Sequence, residues 1–493
     1  MRVRKVKTAS GKYALQVVSK HLGKLSVHKH IGSYGNEVEK ENLTHKAWDY
    51  IQKSTGQLSI LDTITKVNLS DIAITQNRPL FVYELLSGVY DKLGLSNYPD
   101  LLLKDLIIAR LFHPASKLRL QGALYEEFGR FYGKRTMYRH LKQALKLGIQ
   151  EKFQEALTTF ARNDLKDSLK LVFYDVTTLY FESGLREGLK DFGFSKDHRP
   201  MDTQIVVGLV VNKDGFPLYF DVFKGNTFEG NTFIPVIKNI QKLLGSTNIV
   251  VIADSAMVSK DNIERLTDEK IGFVVGARVA NLPQTLINSI SSKLNSQDGK
   301  IITLTYQGQR LICQYSEKRA IKDKSDRLKQ IARAKDAIST PSRLSRFRFV
   351  KQTGQNASLN QLLITKAEKL EGIKGYLTNT NLAKNIVIDR YHDLWRIEKS
   401  FRITKSDLEA RPIFHHLDET IKAHLVIVFA GLAIAKYLEI NMGMSIERIL
   451  HVASKVLTNT IVNTKTGEKA EIETTIEDPN LKQIIQSLRA VGH

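Results

Sequence analysis

Hydrophobic and polar positions alternate over the first 33 residues in three short runs, RVRKVK, KYALQVVS and LSVHKHIG, parted by turns at Ser10-Gly11 and at His21 to Lys24. A period of two marks half-buried strands, so residues 1–36 read as a small basic β-meander. From 37 to 165 the period becomes helical: Tyr98-Pro99-Asp100 opens a helix through LLLKDLIIARLF, and two further helical patterns flank Gly129 to Gly133. Two later runs, Leu169 to Tyr174 and Ile249 to Ala253, are short, β-branched and aromatic, which predicts buried strands. Each ends on an aspartate, Asp175 and Asp254. Between them, TQIVVGLVVNKDGFPLYFDVFKG predicts a hairpin turning at Asp214-Gly215, and Phe233, Val236, Ile237 and Ile240 fall at helical spacing.

In YHDLWRIEKSFRITKSDLEARP, Tyr391, Glu398 and Lys405 recur every seven residues. At about 100° per residue, each step returns to within roughly 20° of the same helix face. Leu394, Ile397, Phe401 and Leu408 form an apolar stripe beside them, so the spacing predicts one half-buried helix bearing a phenol, a carboxylate and an ammonium. A plain amphipathic surface helix has the same pattern; the two upstream aspartates decide between them. Strand with Asp, hairpin, helix, strand with Asp and a later helix with Glu is the outline of an α/β, ribonuclease-H-like mixed-sheet core. Three carboxylates in that setting hold two divalent cations roughly 3.5–4 Å apart for in-line phosphoryl displacement. Hard oxygen ligands favour Mg²⁺ or Mn²⁺.

The third block resembles the signature Tyr-x2-Arg-x3-Glu-x6-Lys of bacterial insertion-sequence DDE transposases, the insertion-sequence-four group. Tyr391, Glu398 and Lys405 fall on three of its four positions, and Asp175 and Asp254 resemble its first two catalytic positions. Leu394 stands where the signature has Arg. Arg402, on the same helical side as Glu398, is the candidate to supply that phosphate contact. The resemblance covers residues 165 to 440 and implies an enzyme that binds transposon ends, cleaves DNA and transfers the strand into target double-stranded DNA. It implies Asp175, Asp254 and Glu398 as metal ligands, Tyr391 and Lys405 at a DNA phosphate, a homodimer on DNA, and a prokaryotic, nucleoid-associated location. A metal-dependent nuclease without strand transfer and a non-catalytic DNA-binding relative share the core; three intact carboxylates speak against the second.

The 73 Lys and Arg against 51 Asp and Glu give a net charge of +22, which suits a polyanionic partner. Lys134, Arg135 and Arg139 lie on the second of the two helices around Gly129 to Gly133, where a helix-turn-helix carries DNA contacts. The domain organisation expected is a helical region at 37–165, core segments at 166–255 and 386–440, an inserted β-containing domain at 256–385, and a helical region at 441–493. In the inserted segment, Arg343, Arg346 and Arg348 beside aromatic residues are candidate DNA contacts. Asp202, Asn226, Glu229 and Asn231 are weaker site candidates, and Gly225 and Gly230 suggest a backbone close to a ligand. The threonines at 177 and 178 read as strand-end hydroxyls.

Other chemistries are excluded. There is no Walker-type loop, and His415-His416 and His28-x-His30 lack zinc spacing and read as surface histidines. An aspartyl-phosphate loop would need a second Asp where Thr177 stands. The longest apolar stretch, Leu425 to Ala435, is eleven residues, too short to span a bilayer, and reads as a buried helix. One cysteine, Cys313, and no apolar segment after the basic start predict a cytoplasmic protein.

Overall fold

The N-terminal alternation folds into an antiparallel sheet of β1 (Arg2–Lys7), β2 (Tyr13–His21) and β3 (Lys24–Tyr34). Val17 from its inner face packs with Ala47 and Ile51 of α1 (Glu37–Thr55). The protein, a computed structural model, is described over residues 1–8, 11–21, 23–55, 69–246, 248–257, 259–339, 347–353 and 356–492. It divides into two units, Met1–Thr75 with Thr460–Glu471 and Gln76–Asn459 with Ile472–His493. In the first, Lys465 pairs with Asp71 at 2.8 Å, just before the strand β4 (Ile72–Arg78).

The second unit begins with five helices: α2 (Leu80–Lys92), α3 (Leu101–Phe112), α4 (Lys117–Phe128), α5 (Lys134–Lys146) and α6 (Ile149–Asn163). Asp100 caps α3 by accepting from the Leu103 N–H at 2.9 Å, in line with the start read from sequence. The hairpin follows as read: β5 (Leu171–Tyr180), β6 (Gln204–Val211) and β7 (Pro217–Lys224) are antiparallel neighbours. Gly215 takes φ +80°, and the Asn212 carboxamide oxygen accepts from the Asp214 and Phe216 N–H groups, both at 2.9 Å. Then come α7 (Glu229–Leu244) and β8 (Val250–Ala253), which pairs in parallel with β5.

The segment expected to form an inserted β domain is built otherwise. After α8 (Lys260–Asp268), β9 (Gly272–Ala277) joins β8 in parallel. After α9 (Gln284–Leu294), β10 (Ile301–Tyr306) and β11 (Gln309–Tyr315) continue the same sheet. Only α10 (Glu317–Ser339), the hairpin β12 (Val350–Thr353) and β13 (Asn356–Leu359), and α11 (Gln361–Lys369) stand off it, around Ala334, Phe349 and Ile364. The chain returns through β14 (Ile373–Thr378), completing a mixed sheet of eight strands in the order β10-β11-β14-β9-β8-β5-β6-β7. The unpaired backbone edge of β8 is the reason: a central strand buried on both faces must be hydrogen-bonded on both sides, and β9 supplies the second.

Both faces of the sheet are covered. On one, Tyr174 stacks on Phe233 of α7 at 5.4 Å and exchanges a hydrogen bond with Thr232 at 2.6 Å. On the other lie α12 (Lys384–His392), α13 (Trp395–Arg402) and α14 (Asp418–Met442), with Phe220 against Phe429 at 4.7 Å. The helix α14 extends well beyond the eleven-residue run seen in sequence. By length and composition it could cross a membrane, but 94 % of its most apolar window is buried, which makes it the core helix expected. The C-terminal segment adds α15 (Ile446–Ala453), β15 (Thr458–Asn463), β16 (Lys469–Glu473) and α16 (Pro479–Gly492). The two strands correct the all-helical expectation for 441–493; the alternating run TNTIVNT and the turn at Thr466-Gly467 carried that signal.

Arg110 of α3 ties the chain after α13 to this helical layer. Its buried guanidinium donates to the carbonyl oxygens of Leu408, Glu409 and Ala115. Burial holds it down at about 10, and nearby Glu409 opposes that shift. Replacing Arg110 by Met leaves three acceptors without donors; we expect a loss of roughly 2–4 kcal/mol in urea unfolding, more than removal of an exposed ion pair gives.

Candidate active site

The parallel register of β5 and β8 runs from Leu171↔Val250 to Tyr174↔Ala253. Carried one residue further, it sets Asp175 beside Asp254, at the level where β8 ends and β5 continues. Asp175 thus lies mid-strand, not at a strand end as its apolar run suggested. The register of β8 with β9 ends at Ala253↔Val275, so Gly276 is the next neighbour of Asp254 on the other side.

Gly276 is needed there. A Cβ on it would lie 2.4 Å from the Tyr391 Oη, and the bare glycine lets that hydroxyl donate to Asp254 Oδ1 at 2.9 Å. The same oxygen accepts from the Ser255 N–H at 2.6 Å. Burial, then the charge of Asp254, pushes the Tyr391 phenol well above its ordinary range, so it acts as a donor throughout.

A cleft of about 460 Å³ is lined by Asp175, Asp254 and Glu398 together with Tyr391, Lys196 and Lys374. Burial pushes the Asp175 carboxyl up to about 6 against the pull of Lys196, with Glu229 and Asp254 adding to the rise. Lys196 comes from the loop after β5; its ammonium donates to the Val176 carbonyl at 2.6 Å and pairs with Glu229 at 2.9 Å. Lys374 comes from β14, with its ammonium over the Tyr391 ring at 4.6 Å. Burial, then Arg319, lowers its pKa, while Asp254 and Glu398 oppose that shift. Sequence periodicity pointed to neither lysine, because each enters from a segment without a charge pattern of its own.

The helix carrying Tyr391, Glu398 and Lys405 is not the single one expected. It tightens after α12, where the Leu394 N–H bonds the Tyr391 carbonyl and the Ile397 N–H that of Leu394, three residues back. It widens into a π-turn at Ile403–Asp407. Two side chains there compete with the regular ladder: Thr404 Oγ1 donates to the Ser400 carbonyl at 2.9 Å, and Ser400 Oγ reaches the Arg396 carbonyl at 3.1 Å as well as the Gly215 carbonyl of the hairpin at 2.9 Å. The apolar stripe holds, with Leu394, Ile397, Phe401 and Leu408 all buried. Lys405, past the break, lies outside the residues lining the cleft and pairs with Asp197 at 3.3 Å. Burial alone would raise the Asp197 carboxyl, but Arg411 and Lys405 hold it below its ordinary range.

The other candidates separate in the same way. Arg402 is exposed and also lies outside the cleft lining. Glu229 reaches the site through Lys196, whereas Asp202 pairs with Arg199 at 3.3 Å, and Asn226 and Asn231 are exposed. The close approach at Gly225 is to the protein itself: a Cβ there would meet the Gln204 and Asp191 carbonyls. Thr178 accepts from the Lys196 N–H at 3.2 Å, a backbone role as read. Lys134, Arg135 and Arg139 are exposed along α5, whose Met137, Leu141 and Ala144 are buried. Arg348 lines a second, larger groove, while Arg343 and Arg346 lie outside the described residues. His415 is buried against His424, which corrects its reading as a surface histidine.

The model for the transposase DDE domain matches residues 171–433, more than half of the chain. The chain belongs to the DDE transposase family. It is therefore a DNA transposase, and such enzymes generally use divalent metals. No curated protein matches. A cryo-EM structure of a piggyBac transposase synaptic complex with hairpin DNA is similar over 77 % of this chain and 79 % of that one, at 8 % identity and a TM-score of 0.40. That likeness is too weak to bear on fold or function.

The donor set of the transposase cleft fits a hard divalent cation: three carboxylates, one of them raised by burial that a bound cation would offset. Among the described residues no three His, Cys, Asp or Glu side chains close on one ion position.

Two outcomes follow from this geometry. Gly276→Ala pushes aside the free end of Tyr391, not backbone; we expect a melting temperature within a few degrees of native, cleavage reduced to the level of Tyr391→Phe, and no further loss in the double variant. Asp175, raised from 3.8 to about 6, opposes folding when ionised: the cost is full above about pH 6 and gone below 3.8. In chelator, Asp175→Asn should add roughly 2–3 kcal/mol of unfolding free energy at pH 8, an advantage that fades as pH falls from 6 towards 4.

Proposed function

We propose that this transposase is of the insertion-sequence-four group, with a ribonuclease-H-like core built on the eight-stranded sheet and the helices after it, and that it cuts and joins DNA at one site. The observation that carries the reading is the common cleft of Asp175, Asp254 and Glu398, supplied by β5, the end of β8 and α13. These three would hold two Mg²⁺ or Mn²⁺ ions, which when bound supply positive charge to the attacking and leaving oxygens. The protein's own groups do the rest. Tyr391 fixes Asp254 by hydrogen bonding, Lys196 steadies the Asp175 side through Val176 and Glu229, and Leu394 and Ile397 form a dry wall.

In cleavage, a water oxygen bonds to phosphorus, the bond to the 3′ oxygen breaks, and that oxygen leaves with a proton as a 3′ hydroxyl. In joining, the 3′ hydroxyl oxygen loses its proton and bonds to the phosphorus of a target phosphodiester, the bond from that phosphorus to the target's own 3′ oxygen breaks, and that oxygen leaves with a proton as a new 3′ hydroxyl. Lys405 and Arg402 engage phosphates beyond the cleft. Lys134, Arg135, Arg139 and Arg348, with the basic meander of residues 1–36, contact the flanking duplex. Joining two ends calls for a homodimer on DNA, and a prokaryotic cytoplasm with its nucleoid is the setting that suits it.

The test is strand cleavage and joining on a labelled duplex bearing the ends that flank this gene, with Mg²⁺. Glu398→Gln and Asp175→Ala should bind that duplex within about threefold of native while cleaving at least about 10³-fold more slowly, a loss of roughly 4 kcal/mol in transition-state stabilisation. Native cleavage by either variant would overturn the carboxylate assignment, and cutting without joining would make the enzyme a nuclease.

A further inference from the structure

The two lysines that line the cleft are not equivalent. Lys196 is engaged by Glu229 and the Val176 carbonyl. Lys374 makes no ion pair among the described residues; its ammonium lies over the faces of Tyr391 at 4.6 Å and Tyr376 at 5.7 Å. Strand alternation sets Lys374 and Tyr376 on the same face of β14, the face on which Tyr376 meets Tyr391 with ring centroids 5.0 Å apart. The Lys374 ammonium lies over the two rings in the cleft that Asp254 and Glu398 also line.

Lys374 also stands at a junction. Together with Asp254 and Tyr391 it lines a second groove of about 600 Å³, which runs on past Arg278, Arg319 and Arg348. A strand lying along that groove would bring its phosphates to Asp254 past this ammonium. The two cations assigned from sequence, Arg402 and Lys405, do not line the cleft. Position 394, where a signature arginine would stand, presents the buried leucine to it.

We propose that Lys374 binds the phosphate that is cut and joined, giving the cleft from β14 the cation that the α12–α13 segment does not supply. The inference rests on the carboxylate reading above. A phosphorus passing through five-coordination gathers charge on its non-bridging oxygens, and an ammonium that makes no ion pair among the described residues stabilises that charge more than it stabilises the ground state. The contact with the Tyr391 ring already places the ammonium in the cleft, so little ordering is needed on binding.

The test compares native enzyme, Lys374→Met, Lys374→Arg and Glu398→Gln on the duplex bearing the flanking ends. Methionine fills the space over Tyr391 without the charge. Lys374→Met should keep the native melting temperature, lower the slope of log binding constant against log salt by about 0.9, and slow single-turnover cleavage by about 100-fold. Lys374→Arg should restore the slope and most of the rate, which a purely structural role would not require. A native slope and rate in Lys374→Met, with Glu398→Gln inactive, would overturn the role of Lys374 and leave the carboxylates standing. Native cleavage by Glu398→Gln would remove the carboxylate reading, and this inference with it.

Discussion

The parallel pairing of β5, β8 and β9 is the constraint on which the site depends. Because parallel strands repeat at even intervals, one register fixes three neighbours at a single level: Asp175, Asp254 and Gly276. Adjacent strands lie about 5 Å apart, so two carboxylates are held side by side without a designed loop. Gly276 leaves the gap through which Tyr391 reaches Asp254. The rise of Asp175 to about 6 comes first from its burial in the sheet, to which the neighbouring Asp254 charge adds. Lys196 and Lys374 offset part of the charge from either side.

The segment between the second aspartate and the glutamate acquires a meaning that its length concealed. Its strands β9, β14, β11 and β10 are one half of the central sheet, and only α10, α11 and the β12–β13 hairpin project from it. The same strands wall the cleft through Lys374 and, through Lys374 and Gly276, the arginine-lined groove beside it. The groove and the cleft therefore share Lys374, Asp254 and Tyr391, so a change in that segment acts close to the carboxylates.

The irregular helix follows from competition for backbone groups. Ser400 and Thr404 bond the Arg396 and Ser400 carbonyls one turn back, and Arg110 takes the carbonyls of Leu408 and Glu409. The apolar stripe is indifferent to this, since Leu394, Ile397, Phe401 and Leu408 are buried under either geometry. Charged positions are not. A local change in turn size moves Lys405 to Asp197 while Glu398 keeps the cleft.

By itself the sequence determined the strands that carry Asp175 and Asp254, the hairpin turn at Asp214-Gly215, the helix with Glu398 and the buried helix α14, because these rest on local periodicity and turn chemistry. The tertiary structure alone decided that β9 and β14 join the same sheet, that Lys196 and Lys374 enter the cleft, and that Lys405 and Arg402 do not line it. Those outcomes depend on which strand edge is left to be paired and on which carbonyl a distant side chain can reach. Such long-range hydrogen bonds and ion pairs leave no period in the chain.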